Sequence, residues 1–182
     1  MNTVRKTFVL GASLMALSMS AAVSAQSNSV VTQSGADQDA DILQIGTGSN
    51  ESDVLQEGSG NDADVTQEST PGDDNTSDIN QTGVASGNTA DLDQFGEGND
   101  STINQAGFGA ISDVTQSGSG NTSETNQTIA TFDSQITVEQ SGDQNSSTVN
   151  QNVGNIDTSV SVTQFNGVGG ALGNTSLANQ TA

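Results

Sequence analysis

The chain has 182 residues, 30% of them apolar and 3% aromatic, with 22 acidic side chains against 2 basic ones and a formal net charge of −20. With no Trp, Tyr, His or Cys, it lacks the means for a conventional close-packed core, for disulfides, for thiolate or imidazole metal sites and for the common nucleophilic triads. Chains this polar and acidic are ordinarily disordered, because too little apolar surface is buried to offset chain entropy.

Residues 1–25 read as a signal peptide. Arg5 and Lys6 precede the apolar run Phe8 to Leu17, and Val23-Ser24-Ala25 supplies the small residues of a cleavage site before Gln26. No other stretch is apolar enough to cross a membrane as a helix. Both basic residues lie in this leader and all 22 acids lie beyond it, so the remainder would carry about −22 and no cation. Nucleic acid and anionic membrane surfaces are therefore not expected partners.

From Gln26 a short segment leads into Ser27 to Gln33, a degenerate first statement of a phrase that then recurs to the C-terminus. Its plainest form is Asn50-Glu-Ser-Asp-Val-Leu-Gln56, restated eleven residues on as Asn61-Asp-Ala-Asp-Val-Thr-Gln67. The closing glutamines are Gln33, Gln44, Gln56, Gln67, Gln81, Gln94, Gln105, Gln116, Gln127, Gln140, Gln151, Gln164 and Gln180. Two residues earlier stand Val31, Ile42, Val54, Val65, Ile79, Leu92, Ile103, Val114, Val138, Val149 and Val162, with Thr125 and Ala178 as exceptions. Four residues earlier the side chain is nearly always Ala or Ser. Six residues earlier asparagine recurs at Asn50, Asn61, Asn75, Asn88, Asn99, Asn121, Asn145 and Asn174.

These positions are two apart, so an extended strand puts them on one face. Fixed periodicity is the signature of stacked units that complete their cores on one another, which argues against disorder. Glycine follows most glutamines by two residues, as in Gly58-Ser-Gly60 and Gly118-Ser-Gly120, and suits tight reversals. The only proline, Pro71, lies in a longer connection, where a missing donor harms no ladder. Thirteen short strands are expected, the last one weak.

If the chain reverses after every phrase, alternate strands fall on two facing sheets. One takes the phrases ending at Gln33, Gln56, Gln81, Gln105, Gln127 and Gln151. The other takes those ending at Gln44, Gln67, Gln94, Gln116, Gln140 and Gln164. Rungs would stack in parallel at ~4.8 Å, the sheets would face each other at ~10 Å, and amide ladders would flank aliphatic ribbons. The expected fold is all-β, a flat two-sheet β-solenoid of strand-turn-strand repeats. Neither end shows a cap, so matching open edges imply head-to-tail growth.

The residues Asn50 to Gln56, Gly58-Ser-Gly60, Asn61 to Gln67, Asn99 to Gln105 and Asn121 to Gln127 resemble the curlins, repeat subunits of bacterial functional amyloid fibres. Curlin units pair strands of the form Ser-x5-Gln and Asn-x5-Gln around a Gly-x-Gly-Asn type connection. On this resemblance residues 1–25 are the signal peptide, 26–37 a short N-terminal segment with a degenerate first strand, and 38–180 a curlin-like repeat domain. The resemblance implies cross-β self-assembly into curli-like extracellular fibres for biofilm matrix and surface adhesion. It also implies partners: other copies of the chain, a related nucleator or major subunit, and an outer-membrane secretion channel. Two features set the chain apart from the major curlin subunit, whose glycine-rich segment after the leader and whose aromatic and basic repeat residues are mostly missing here.

Three residues before the glutamine, on the outer face, stand Asp41, Asp64, Asp91 and Asp113. Stacked on one sheet they form a column of like charges, expected to act as gatekeepers that slow aggregation before export and keep fibres apart. Hard divalent cations bridging the column are a second reading. No cofactor and no enzymatic activity are expected, since a repeated flat array lacks a single concave site. The competing function is a monomeric secreted β-solenoid binding module, an ice- or carbohydrate-binding adhesin. That reading requires a regular outer array and capped ends.

Overall fold

Alternation decides the local structure. Along each phrase the small, aliphatic and amide side chains lie two apart, so an extended backbone sends them to one side and the acids to the other. The computed structural model describes residues 19–21, 27–83, 87–128, 133–152, 157–166 and 173–181, and among them every phrase is a strand and no residue is helical. The strands are β1 (Met19–Ala21), β2 (Asn28–Ala36), β3 (Asp39–Gly46), β4 (Glu51–Ser59), β5 (Asp62–Ser69), β6 (Thr76–Gln81) and β7 (Thr89–Glu97). They continue as β8 (Asp100–Gln105), β9 (Ile111–Ser119), β10 (Thr122–Gln127), β11 (Gln135–Asp143), β12 (Ser146–Gln151), β13 (Ser159–Phe165) and β14 (Thr175–Gln180).

The chain is a β-solenoid of two parallel sheets. One sheet runs β2-β4-β6-β8-β10-β12-β14 and the other β1-β3-β5-β7-β9-β11-β13, the assignment of alternate phrases that the spacing predicts. Register is set glutamine on glutamine, as in Gln105↔Gln127 and Gln116↔Gln140. A slip of one residue would turn the whole inner face of a strand outward, which is why the period fixes the pairing.

Between the sheets lie two aliphatic ribbons. Ile79, Leu92, Ile103, Val114, Val138 and Val149 are at most 1% exposed, and Ile42, Val54, Val65 and Val162 are also buried. Each such side chain contributes roughly 1.5–3 kcal/mol on burial, but a strand supplies only one or two of them. Beside them the two sheets differ. Ala40, Ala63 and Ala90 line one sheet, while Ser52, Ser77, Ser101, Ser123 and Ser147 line the other. Thr125, a polar residue in an aliphatic place, is buried with its hydroxyl 2.9 Å from that of Ser112 on the facing sheet.

Two differences from the sequence reading stand out. The first phrase is not degenerate in structure: β2 pairs with β4 over its full length, from Asn28↔Glu51 to Ala36↔Ser59. A fourteenth strand, β1, falls within residues 1–25, where no strand is expected, and lies along β3 with Met19↔Ile42 and Ala21↔Gln44. The apolar run Phe8 to Leu17 and the site Val23–Ala25 lie outside the described residues.

The reversals are themselves stacked. Gly120 N donates to Glu97 O at 2.9 Å and Gln144 N to Ser119 O at 2.8 Å, so backbone hydrogen bonding continues through the turns. Two glycines per reversal have different reasons to be there. Gly118 has φ +112°, and a Cβ built on it would overlap the carbonyl oxygen of Gly142 on the next rung. Gly120 has φ +66° with ordinary space around it, and Gln144 adopts the same left-handed conformation one rung on. Gly118→Ala is therefore expected to destabilise the fold by more than ~1 kcal/mol. Gly120→Asn should cost less, since asparagine tolerates the left-handed region. Denaturant midpoints of the two variants would order them.

Candidate assembly core

Glutamine is the side chain that joins everything, because one carboxamide offers two donors and an acceptor. Along one sheet Gln33 Nε2 donates to Gln56 Oε1 at 2.7 Å, Gln56 to Gln81 at 2.9 Å, and Gln81 to Gln105 and Gln105 to Gln127 at 3.0 Å. Gln127, Gln151 and Gln180 complete that ladder at 3.0 Å per step. On the other sheet the steps Gln44 to Gln67, Gln67 to Gln94, Gln94 to Gln116, Gln116 to Gln140 and Gln140 to Gln164 span 2.8–2.9 Å. The same Nε2 also crosses the core. Gln105 reaches Thr89 O at 2.8 Å on β7 and Ala110 O at 3.0 Å just before β9, so one amide ties its own strand to both sequence neighbours.

Asparagine at the other end of the phrase closes the turn. Its Nδ2 donates to the carbonyl of the residue after the preceding glutamine: Asn61 to Glu57, Asn99 to Phe95, Asn121 to Ser117 and Asn145 to Ser141, at 2.9–3.2 Å. Longer connections end the same way, with Asn50 to Ile45, Asn75 to Glu68 and Asn174 to Phe165. One bond thus closes reversals of different length. Asn88 is the exception, its buried Nδ2 having no partner. Stacking links are Asn99 to Asn75, Asn121 to Asn99 and Asn145 to Asn121, each Nδ2 reaching the Oδ1 of the preceding rung at 3.0–3.3 Å. Gln38, Ala110 and Ser134 fill the asparagine place on the other sheet and are buried there.

A third ladder was not singled out by the sequence reading. Asn80, Asn104, Asn126, Asn150 and Asn179 stand on the outer face one residue before the glutamine, linked Nδ2 to Oδ1 at 2.8–3.0 Å. The recurring Asn-Gln pair was its signal. The serine column beside the ribbon is the reverse case: the hydroxyls of Ser52, Ser77, Ser101, Ser123 and Ser147 are buried without a hydrogen-bond partner.

Asp41, Asp64, Asp91 and Asp113 stand in register on β3, β5, β7 and β9. Asp39 pairs with Asp62 beside them, and Asp53 with Asp78 on the other sheet. Partial desolvation, and then the neighbouring carboxylates, raise the pKa values of Asp53, Asp62, Asp64 and Asp91 above 3.8. Their tips face solvent, yet adjacent rungs displace part of their water. Among the described residues no group of three or more Asp or Glu is placed to hold a metal ion.

The family model described as the curlin associated repeat matches residues 35–68 and 85–128. No curated protein and no solved structure matches the chain.

Three outcomes test this core. Gln105→Ala removes the contacts of its Nε2 with Gln127, Thr89 and Ala110 and leaves the buried Oε1 of Gln127 without its donor, so it should cost at least ~3 kcal/mol. Ser101→Ala removes only an unpartnered hydroxyl and should be neutral or stabilising by about 1 kcal/mol; chemical denaturation separates the two. Raised carboxylate pKa values mean that the folded state binds protons more tightly than the unfolded one. The associated stability is present below the ordinary value and lost as pH rises through the raised values. Folding should strengthen on acidification toward about pH 4 and with added salt. Asp64→Asn with Asp91→Asn should flatten that dependence; an unchanged pH profile would refute the electrostatic account.

Proposed function

We propose that this protein, which carries curlin repeats, is a secreted structural subunit that assembles with copies of itself into curli-like extracellular fibres of amyloid type. Biofilm matrix and surface adhesion are the roles such a fibre serves, and a structural rather than enzymatic task accords with the repeat family and the solenoid fold. The observation that carries the reading is the state of the ends. The amide ladders run without interruption into the terminal strands, and at the first rung Gln33 Oε1 is buried yet unpartnered. An edge of that kind is completed by another strand of the same pattern.

In this reading the leader directs export, an outer-membrane channel passes the chain, and a related nucleator or major subunit is a further partner. The place of action is the bacterial cell surface. The acid columns Asp41, Asp64, Asp91 and Asp113 serve as gatekeepers, holding chains apart until local concentration or lower pH overcomes their repulsion. The glutamines, asparagines and aliphatic ribbons form the fibre core.

The test is assembly of freshly desalted protein starting at Gln26, followed by amyloid-dye fluorescence and fibre diffraction. A seedable sigmoidal rise with reflections near ~4.7 Å and ~10 Å is expected. A β-rich protein that stays monomeric would overturn the fibre and favour the secreted binding module, with the outer asparagine array as its face.

A further inference from the structure

The ends of the solenoid also carry information about how copies meet. Among the described residues from 27 to 181 strands alternate strictly between the sheets, yet β2 and β14, which bound that stretch, belong to the same sheet. The two sheets are staggered by half a rung. Gln127 Nε2 shows this, reaching Ile111 O on the strand before it at 3.1 Å and Ser134 O ahead of the strand after it at 2.7 Å. After β14 the next vacant position is therefore on the opposite sheet.

The geometry points to a half-turn between successive copies: β2 of the next copy enters the sheet that ends in β13, and its β3 enters the sheet that ends in β14. This rests on the self-assembly proposed above and on removal of the leader. Straight stacking, β2 on β14, would leave one strand position empty in the facing sheet at every junction. Its buried amides and aliphatic side chains would then face a gap, which costs both hydrogen bonds and packing. Rotation by 180° about the fibre axis exchanges the sheets while keeping every strand direction, so nothing opposes it.

The side chains at this junction agree in kind. Val31 continues the ribbon from Val162 and Ile42 continues it from Ala178. Each glutamine ladder runs in one sense, Nε2 toward the later rung, so Gln164 meets the unpartnered acceptor of Gln33. The acids of β3 are not opposed, because Asp39 and Asp41 fall beside Thr175 and Leu177 and neither β13 nor β14 carries a carboxylate. In the uncut chain β1 occupies the β3 edge that β14 of the neighbouring copy needs. The second copy docks by the half-turn only once β1 has left. As β1 is the outermost strand of its sheet, β2 to β14 keep all their mutual pairings without it.

Single-cysteine variants decide between the two junctions, since the chain has no cysteine of its own. Thr32→Cys, Thr163→Cys and Asn179→Cys all lie one residue before a ladder glutamine, on outer faces. The chains start at Gln26, are mixed in pairs, assembled, and treated with a short bifunctional thiol reagent. The half-turn predicts covalent dimers from the Thr32 and Thr163 variants, whose positions would be ~5 Å apart on neighbouring strands. The Thr32 and Asn179 pair should give only the background of each variant alone. Dimers from Thr32 and Asn179 instead would establish straight stacking and overturn the half-turn while leaving the fibre intact. Fibres giving dimers from neither pair would overturn this junction as well. Unsubstituted protein supplies a second measurement: electron cryomicroscopy should find a subunit rotation near 180° before added twist, with a rise of roughly 31 Å, six and a half rungs of ~4.8 Å. A rotation near 0° refutes the proposal, and failure of unsubstituted protein to form fibres refutes both this junction and the assembly it rests on.

Discussion

The buried carboxamide of glutamine is the constraint on which the other features depend. An amide taken out of water without partners costs ~1–3 kcal/mol, whereas a satisfied one contributes a modest gain per bond. Gln105 meets that demand only if a like residue lies one rung above, another one rung below, and a backbone carbonyl opposite. Those three conditions amount to the repeat itself. They require parallel strands in register, a fixed distance between sheets and a fixed residue count along each strand. Connection length is left free, and that is where the phrases vary. Asparagine enforces the same freedom at the other end, since Asn99 and Asn75 close a short and a longer connection by equivalent bonds.

Against this cohesion stands a charge that no basic residue beyond Lys6 neutralises. Parallel in-register stacking turns every outward Asp of the phrase into a column, and the fold that satisfies the amides is the fold that opposes the carboxylates. The distribution of acids moderates the conflict. Asp39, Asp41, Asp62, Asp64 and Asp91 crowd the early rungs of one sheet, while β12, β13 and β14 carry no acid at all. Repulsion is therefore strongest in the body of the solenoid, where it acts between rungs already tethered by the chain. It is weak at the later end, in β12, β13 and β14.

The sequence disclosed most of the architecture because the period of two and the spacing of glutamines are strong signals, each repeated many times. Strand positions, sheet assignment and inner face follow from Gln44 to Gln164 alone. What stayed hidden has physical reasons. Asn80 and its equivalents sit on the outer face, where an amide next to a conspicuous glutamine reads as ordinary surface, and only the stacked register turns them into a ladder. The unpartnered hydroxyls of Ser52 to Ser147 were legible as small residues but not as unsatisfied ones, since that depends on what faces them. Strand β1 lies in a segment whose basic and apolar pattern speaks of targeting, and no phrase marks it as a rung.

Parity is the feature a list of motifs does not reveal. A solenoid whose two-strand unit is repeated a whole number of times ends on the sheet opposite to the one on which it began, and identical copies then continue it by translation alone. Here β2 and β14 share a sheet, so the chain from β2 onward is half a rung out of step with its own continuation. Strand β1 is the half-rung that would restore it. Its presence or removal therefore changes more than the length of the chain. With β1 in place the ends match by translation, and without it they match by rotation. In a fibre the second case distributes the two chemically different outer faces, one with the columns of Asp41 and Asp62 and with Phe95, the other with the asparagine array beside Asp53 and Asp78, alternately on each side. The Asp41 to Asp113 column of one sheet is then interrupted on each side at intervals longer than the Debye length of about 8 Å in physiological salt.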